Sequence, residues 1–253
     1  MSKTIKVMSF NMRTAVKADT PNSFWERKPR ILEMLRREKP DIVGFQEVTD
    51  EMRRWLSEEL REYTVVGCGR EKNYHGESVA TAYRTDTVQM IAMDHFWLSS
   101  TPKQPGSRYT ADQSTCPRIT AALRLVVDDA EPFWVYNTHL DHKGAGARYL
   151  GMLQTLQKIS ESEEKFILMG DMNATQETPE IRLVEETLGT RGVVECTADV
   201  GKTFHGFRHE LRNHIDYIFS DCSYENACVV PDEGKDDLYY SDHLAVCTDI
   251  TLP

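Results

Sequence analysis

A layered α/β domain is the fold class this sequence predicts, on three observations. Short apolar, β-branched segments recur from one end of the chain to the other, amphipathic stretches separate several of them, and no unit of roughly 20 to 50 residues repeats. The 253 residues are 40% hydrophobic and 28% charged, enough to bury one sizeable core, and residues 1–253 read as a single domain. Strands are expected at 5–10, 42–45, 79–83, 88–93, 121–127, 133–138, 166–170, 215–219, 224–230 and 245–250. Ser23 is placed to cap a helix with Glu26 three residues on, and Phe24, Arg27, Ile31, Leu35 and Glu38 form a stripe that stops before Pro40. Residues 49–60 carry Met52, Leu56 and Leu60 on one side, and residues 148–159 carry Leu150, Leu153 and Leu156. Two stretches follow neither period. Residues 99–118 hold Pro102, Pro105, Gly106 and Pro117, and residues 199–213 hold Lys202, His205, Arg208, His209 and Arg212. Long irregular segments of this kind usually serve function.

The net charge of −10 argues against tight non-specific binding of duplex nucleic acid, which needs a basic stripe to neutralise phosphates. It suits a carboxylate-lined cation site acting on something small or single-stranded. Cys68, Cys116, Cys196, Cys222, Cys228 and Cys247 are scattered without a CxxC pair, which predicts free thiols rather than a zinc site or a disulfide framework. Apolar runs such as residues 166–169 fall well short of the roughly 18 residues of a membrane span. The start, Met1-Ser2-Lys3-Thr4-Ile5-Lys6-Val7, enters a strand directly. A cytoplasmic monomer without a membrane partner is the expectation.

Polar residues gather where the strands should end, the place where layered α/β folds build ligand sites. Asn11 follows the first strand, and its amide can donate to a phosphoryl oxygen or orient an acid. Glu47 ends the second, where a carboxylate can hold a hard cation. Asn137-Thr138-His139-Leu140-Asp141-His142 closes an aromatic-rich strand with two imidazoles and a carboxylate. Gly170-Asp171-Met172-Asn173 sets a carboxylate and an amide two residues apart, facing one side if extended, with Asp171 able to deprotonate water. His214-Ile215-Asp216 enters a strand, and Ser241-Asp242-His243 precedes the last one. Singly, each has a plain structural reading: a turn asparagine, a helix-start glutamate, a satisfied histidine. Six such motifs at strand ends are hard to dismiss together.

The ordered set Ser9-Phe10-Asn11, Gln46-Glu47, Asn137-Thr138-His139, Gly170-Asp171-Met172-Asn173, Ile215-Asp216-Tyr217 and Ser241-Asp242-His243 resembles the endonuclease/exonuclease/phosphatase superfamily over nearly the whole chain. The resemblance implies a deoxyribonuclease I-like four-layered α/β sandwich, with two central mixed β-sheets flanked by helices. It implies hydrolysis of a phosphate ester with Mg²⁺, or Mn²⁺, as cofactor. By the same resemblance Glu47, Asn11 and Asp242 lie at the metal, His243 is the catalytic imidazole and Asp216 its paired carboxylate. Asp171 orients or activates water, Asn173 and His139 touch the phosphate, and Asn137 lies on the substrate side. Glu77, in Gly76-Glu77-Ser78-Val79-Ala80-Thr81-Ala82-Tyr83-Arg84, matches a glutamate that pairs with the histidine at the position of His139.

Phe96-Trp97-Leu98-Ser99, Pro105-Gly106-Ser107, Cys116-Pro117-Arg118 and Thr203-Phe204-His205-Gly206-Phe207 resemble the small bacterial, nocturnin-like branch. That implies Arg118 against the substrate phosphate and His205 facing the site, with Phe204 and Phe207 beside it to stack a base or hold an apolar group. Two departures bear on substrate preference: Gln113-Ser114-Thr115 replaces an aromatic-acidic turn, and His214 stands where an arginine often precedes the Ile-Asp pair. The function expected is a phosphoesterase on nucleotides or single-stranded RNA ends, acting as an exonuclease. The alternatives are an abasic-site DNA endonuclease, a phosphomonoesterase of a dinucleotide or phosphosugar, and a catalytically silent binding module. One metal or two, and whether Asp171 or the Asp216–His243 pair handles the proton, stay open.

Overall fold

The computed structural model describes residues 2–232 and 234–253. In chain order the elements are β1 (Lys3–Asn11), α1 (Phe24–Glu38), β2 (Ile42–Val48), α2 (Asp50–Glu59), β3 (Tyr63–Val66), β4 (Ser78–Arg84), β5 (Val88–Trp97), β6 (Ile119–Val127), β7 (Phe133–His139), α3 (Ala145–Ile159), β8 (Lys165–Asp171), α4 (Pro179–Leu188), β9 (Val194–Glu195), β10 (Asp216–Ser220), β11 (Ser223–Val229) and β12 (Val246–Leu252). The strands form two six-stranded sheets, β11-β12-β1-β2-β4-β3 and β5-β6-β7-β8-β10-β9. Each holds one parallel pair, β1 with β2 and β7 with β8, and is otherwise antiparallel. The parallel pairs are the two places where a helix, α1 or α3, carries the chain back across the sheet as a parallel connection requires.

Three apolar cores give four layers. Val7, Ile42, Leu123, Val135, Ile167 and Ile250 pack between the sheets. Phe10, Phe45 and Val43 meet Ile31, Met34 and Leu56 of the first helical layer, while Tyr136 and Leu168 meet Met152, Leu156 and Val184 of the second. Each fully buried side chain of this size contributes roughly 1.5–3 kcal/mol. Central strands such as β1 are buried on both faces from Val7 to Asn11, which is why they read as continuous apolar runs.

The local expectations need four corrections. Ser23 is the N-cap residue of α1, but its side chain makes no cap; its carbonyl accepts from Glu26 and Arg27, whereas the Thr49 side chain does cap α2 through the Met52 N–H. α3 starts at Ala145 rather than 148, and its buried face is Ala147, Gly151, Met152, Leu156 and Ile159 at helical spacing, which leaves Leu150 off that face and exposed. α4 was not expected, although Pro179 at its first turn and Ile181, Val184 and Leu188 at helical spacing mark it. The short strands β3 and β9 were not expected either. They are edge strands of four and two residues, too brief for a period to appear. All six cysteines are free thiols. Among the described residues no helix is long and apolar enough to cross a membrane.

Gly170 shows how tightly β7 and β8 must approach next to the site. Its φ is +146°, and a Cβ there would lie 1.9 Å from the Thr138 carbonyl oxygen on the neighbouring strand. Backbone on backbone cannot relax, so Gly170→Ala is expected to cost about 3 kcal/mol. A denaturation midpoint equal to that of the native protein would contradict the close approach.

Candidate active site

The topology brings all the chemistry to one edge of the sandwich. The carboxyl ends of β1, β2, β7 and β8 present Asn11, Glu47, His139 and Asp171, and the antiparallel neighbours β4, β6, β10 and β12 begin at that edge beside Glu77, Arg118, Asp216 and His243. A cavity of about 490 Å³ lies there, lined by Glu47, Glu77, Arg118, His139, Asp171, Asn173, Asp242 and His243 among others.

Nδ1 of His243 lies 2.9 Å from Oδ2 of Asp216, and that same oxygen accepts from the Thr203 hydroxyl at 2.6 Å. Both members are buried. The carboxylates of Asp216 and Asp171 outweigh burial and hold the imidazole well above its ordinary pKa, so it rests as a cation. Nε2 is left to face Asp171, 3.8 Å away. Burial raises the Asp171 carboxyl well above the usual range, opposed by the nearby His243. Oδ2 of Asp171 accepts from Asn11 Nδ2 at 2.9 Å, and Oδ1 from the Asn173 N–H at 2.8 Å. The 171–173 segment is therefore a tight turn with Asn173 at φ +48° rather than an extended run, yet both side chains reach the cavity. Asn173 Nδ2 lies 3.0 Å from Nε2 of His139. Burial, with Arg118 and Arg70 adding to it, keeps His139 a neutral imidazole.

Glu47 has φ +60° at a bulge where the β2–β4 register shifts, and this turns its carboxylate toward the cavity. Its Oε2 accepts from the Thr14 N–H at 2.9 Å. Burial raises the carboxyl of Asp242, and the neighbouring Glu47 raises it further. Two carboxylates lining one cavity, with Arg13 Nε 3.8 Å from Asp242, supply the hard-oxygen donors a Mg²⁺-type ion takes, so the residues present fit a divalent cation. Asn11 departs from the expectation of a ligand. Its Nδ2 donates to Glu47 Oε1 at 3.2 Å and to Asp171, and its oxygen accepts from the Arg13 N–H, so it holds the acids in place. Asp171, Asp216 and His243 also offer one atom each within 4.8 Å of one another, a spacing that could hold a metal ion.

Three expected positions are corrected. Asn137 is fully buried between the sheets, where its oxygen accepts from Gln46 at 2.8 Å and its nitrogen donates to the Ala80 and Phe45 carbonyls. It bridges the sheets and leaves nothing for a substrate. His205 lies behind the site, its ring 4.7 Å from that of Tyr239, both nitrogens buried without a partner among the described residues and its pKa lowered by burial to about 4. Its backbone N–H instead donates to the Asp242 carbonyl. Glu77 lines the cavity but pairs with Arg70, Oε2 to Nη2 at 2.9 Å, rather than with His139.

Sequence reasoning missed the residues that position the others. Arg27 is fully buried and donates to the carbonyls of Asn22, Met12, Arg13 and Tyr240, tying the segment after β1 to the one before Asp242. It had been read as part of a helix stripe. Thr203 and Arg70 sit in irregular segments where no periodicity speaks. Asp141 accepts from the N–H groups of Ser114, Lys143 and Gly144 and from the Ser114 hydroxyl, which anchors the 99–118 segment over the cavity and lowers its pKa to about 2. A carboxyl held below its unfolded value stabilises the fold fully above about pH 4, and the contribution fades as pH falls toward 2. Asp141→Asn is expected to cost about 1–2 kcal/mol at pH 7, allowing for solvent screening. Paired urea titrations at pH 7 and pH 2.5 test this, since the difference between the two proteins at the first pH should narrow markedly at the second.

A buried imidazole–carboxylate pair, a second buried acid and further carboxylates around one cavity define a metal-dependent phosphoesterase. The chain belongs to the endonuclease/exonuclease/phosphatase family, which it matches over residues 8–243. It is accordingly an enzyme of that hydrolase class. A family protein from Bacteroides thetaiotaomicron superposes with a TM-score of 0.89 at 25% identity, over 100% of this chain and 99% of that one. A mannosyl-6-phosphatase from Bacteroides thetaiotaomicron VPI-5482 gives 0.81 at 26% identity, over 96% and 98%. The human Nocturnin catalytic domain with bound sulfate gives 0.75 at 19%, over 99% and 95%, a likeness of fold. An uncharacterized protein of Acanthamoeba polyphaga mimivirus is 26% identical over 159 residues, 59% of each chain, so this chain spans 59% of that curated relative's length.

Proposed function

We propose that this enzyme hydrolyses the phosphate monoester of a sugar-sized or nucleotide-sized molecule. The observation that carries the reading is the cavity itself. Its volume of about 490 Å³ falls within the roughly 300–1,000 Å³ of small-molecule sites, and Arg118 closes one end of it. The likeness to a mannosyl-6-phosphatase over nearly the whole of both chains supports it. A second reading, hydrolysis at a single-stranded nucleic acid end, draws on Phe204, which lines the cavity with its ring 4.8 Å from that of His243 and can stack a base.

In this reading Glu47 and Asp242 hold the divalent cation. The Asp171, Asp216 and His243 trio is the poorer holder, because Nδ1 of His243 is committed to Asp216 and the imidazole is cationic. The ion when bound neutralises phosphoryl oxygens as a Lewis acid. Asn173, whose Nδ2 donates to the Leu140 carbonyl and to Nε2 of His139, fixes the His139 ring at the cavity wall. Asp171, held by Asn11 and by the Asn173 N–H, orients the attacking water and accepts its proton. His243, held as a cation by Asp216, meets the charge that builds on the phosphoryl oxygens.

The test is a panel of sugar phosphates, mononucleotides, single-stranded RNA and abasic duplex DNA, with Mg²⁺, Mn²⁺ or EDTA. Turnover of small monoesters that EDTA abolishes is the expected result. A preference for oligonucleotides of more than a hundredfold, on the order of 3 kcal/mol, would transfer the conclusion to the second reading.

A further inference from the structure

The cavity continues past the groups assigned above. Along one sheet the order β12, β1, β2, β4 sets out Asp242, Asn11, Glu47 and Glu77; along the other, β10, β8, β7, β6 sets out Asp216, Asp171, His139 and Arg118. Neighbouring strands stand about 4.8 Å apart, so Arg118 leaves its strand about 14 Å from Asp216. The side chains of Arg70 and Arg118 reach back from there to share a recess with Glu47, Glu77 and His139.

Two guanidinium groups meet at that far end. Arg118 is only 4% exposed and lines the cavity. Its Nη2 lies 2.8 Å from Nδ1 of His142, and its Nε and Nη1 have no partner among the described residues. Arg70 gives Nη2 to Glu77, while its buried Nε makes no hydrogen bond among the described residues and has the half-exposed Glu71 carboxylate 4.0 Å away. The other acids nearby are already engaged. Asp141, 3.7 Å from Arg118 Nε, accepts from Ser114, Lys143 and Gly144, and Glu77 is bonded to Arg70. Because Arg118 can only donate, Nδ1 of His142 accepts, which puts the His142 proton on Nε2 at the exposed mouth of the cavity. Burial and the adjacent Arg70 both lower the pKa of Arg118, a penalty that an anion between the two guanidiniums would remove. Buried charged donors left without an acceptor are costly, and two of them lining one cavity are arranged for a ligand that brings the acceptor.

We propose that Arg70, Arg118 and His142 form a second anion subsite, which takes an anionic oxygen group that the substrate carries in addition to the ester being hydrolysed. The inference rests on the small-molecule phosphatase reading and narrows its substrate class to compounds bearing a phosphate ester and a further phosphate or carboxylate.

Two measurements test it. The first is calorimetric titration of metal-free protein with inorganic phosphate and, separately, with acetate; Arg13 and His243, the cations at the reacting end, are unchanged in the variants, so only binding at the far arginines responds to them. Phosphate binding weakened about tenfold or more in Arg70→Met and in Arg118→Met, and retained in part by Arg118→Lys, is the expected result. The acetate arm tells whether a carboxylate suffices. The second compares kcat/KM for a sugar bisphosphate and the matching monophosphate. The native enzyme should prefer the bisphosphate, and Arg70→Met should remove about tenfold of that preference. Equal losses on both substrates would mean that the arginines grip the scissile phosphate, and would overturn the proposal, as would phosphate binding that ignores both substitutions. Absence of turnover on every substrate would defeat the phosphatase reading alone, because the titration decides the subsite without catalysis.

Discussion

His243→Ala is expected to lower kcat by about three orders of magnitude, the upper end of the range for removing one group that stabilises developing charge, with a much smaller change in KM. The imidazole is a cation at the reacting end that the structure surrounds with fixed acids. Asp216 holds Nδ1 at 2.9 Å, Thr203 holds Asp216 at 2.6 Å, and Asp171 lies 3.8 Å from Nε2. Such an arrangement is set before substrate arrives and needs no reorganisation during the reaction. The loss should be graded along the chain of contacts. Asp216→Asn keeps the shape but removes the charge that holds the imidazole protonated and oriented, and should approach the His243→Ala value. Thr203→Ala leaves Asp216 its charge and should cost about tenfold, the value of one hydrogen bond of ordinary net strength. Steady-state kinetics on one monoester substrate checks all three. Equal, small losses in the three variants would remove His243 from the chemistry.

Glu47→Gln is the second large effect. The substitution keeps size and hydrogen bonding but halves the carboxylate charge offered to the ion, so divalent-cation affinity should fall by about a hundredfold or more, at or beyond the 10–100-fold typical of groups that only support a ligand. Asn11→Ala, which removes the donor to Glu47 Oε1 and Asp171 Oδ2, should fall within that 10–100-fold range. Thermal unfolding provides a readout independent of turnover. Cation at a hundred times its Kd should stabilise the native protein by about 2.7 kcal/mol, and the same concentration should do little for Glu47→Gln. An equal shift in both proteins would place the ion elsewhere, with the Asp171, Asp216 and His243 trio the next position to test.

The site was legible in the sequence to the extent that its residues sit at strand ends. Asn11, Glu47, His139, Asp171 and His243 each follow or precede a strand whose apolar run is plain, and a side chain one residue past a buried strand has few places to go but the edge of the sheet. Asn137 failed by the same logic. Two residues before the end of β7 its side chain still points between the sheets, where close-packed neighbours consume both ends of the amide. His205 failed because a basic loop in an acidic protein looks like a ligand surface, whereas the loop's work lies in its backbone and in Thr203, which fasten the Asp242-His243 segment and Asp216.

Alternating apolar runs and amphipathic stretches are local properties, so the α/β class, most of the strands, three of the four helices and the identity of the acids and imidazoles were readable without coordinates. Pairing is not local. Glu77 lies at the same edge as His139, yet it is bonded to Arg70, a residue from an irregular segment with no pattern to mark it. Arg27 looked like one polar member of a helix stripe, and only the convergence of four carbonyls from distant segments shows what it holds. The reach of the cavity from His243 to Arg118 depends on strand order across two sheets, a long-range property that spacing along the chain does not encode. Burial then decides which of these groups rest charged, because desolvation and neighbouring charge act through space rather than along the sequence.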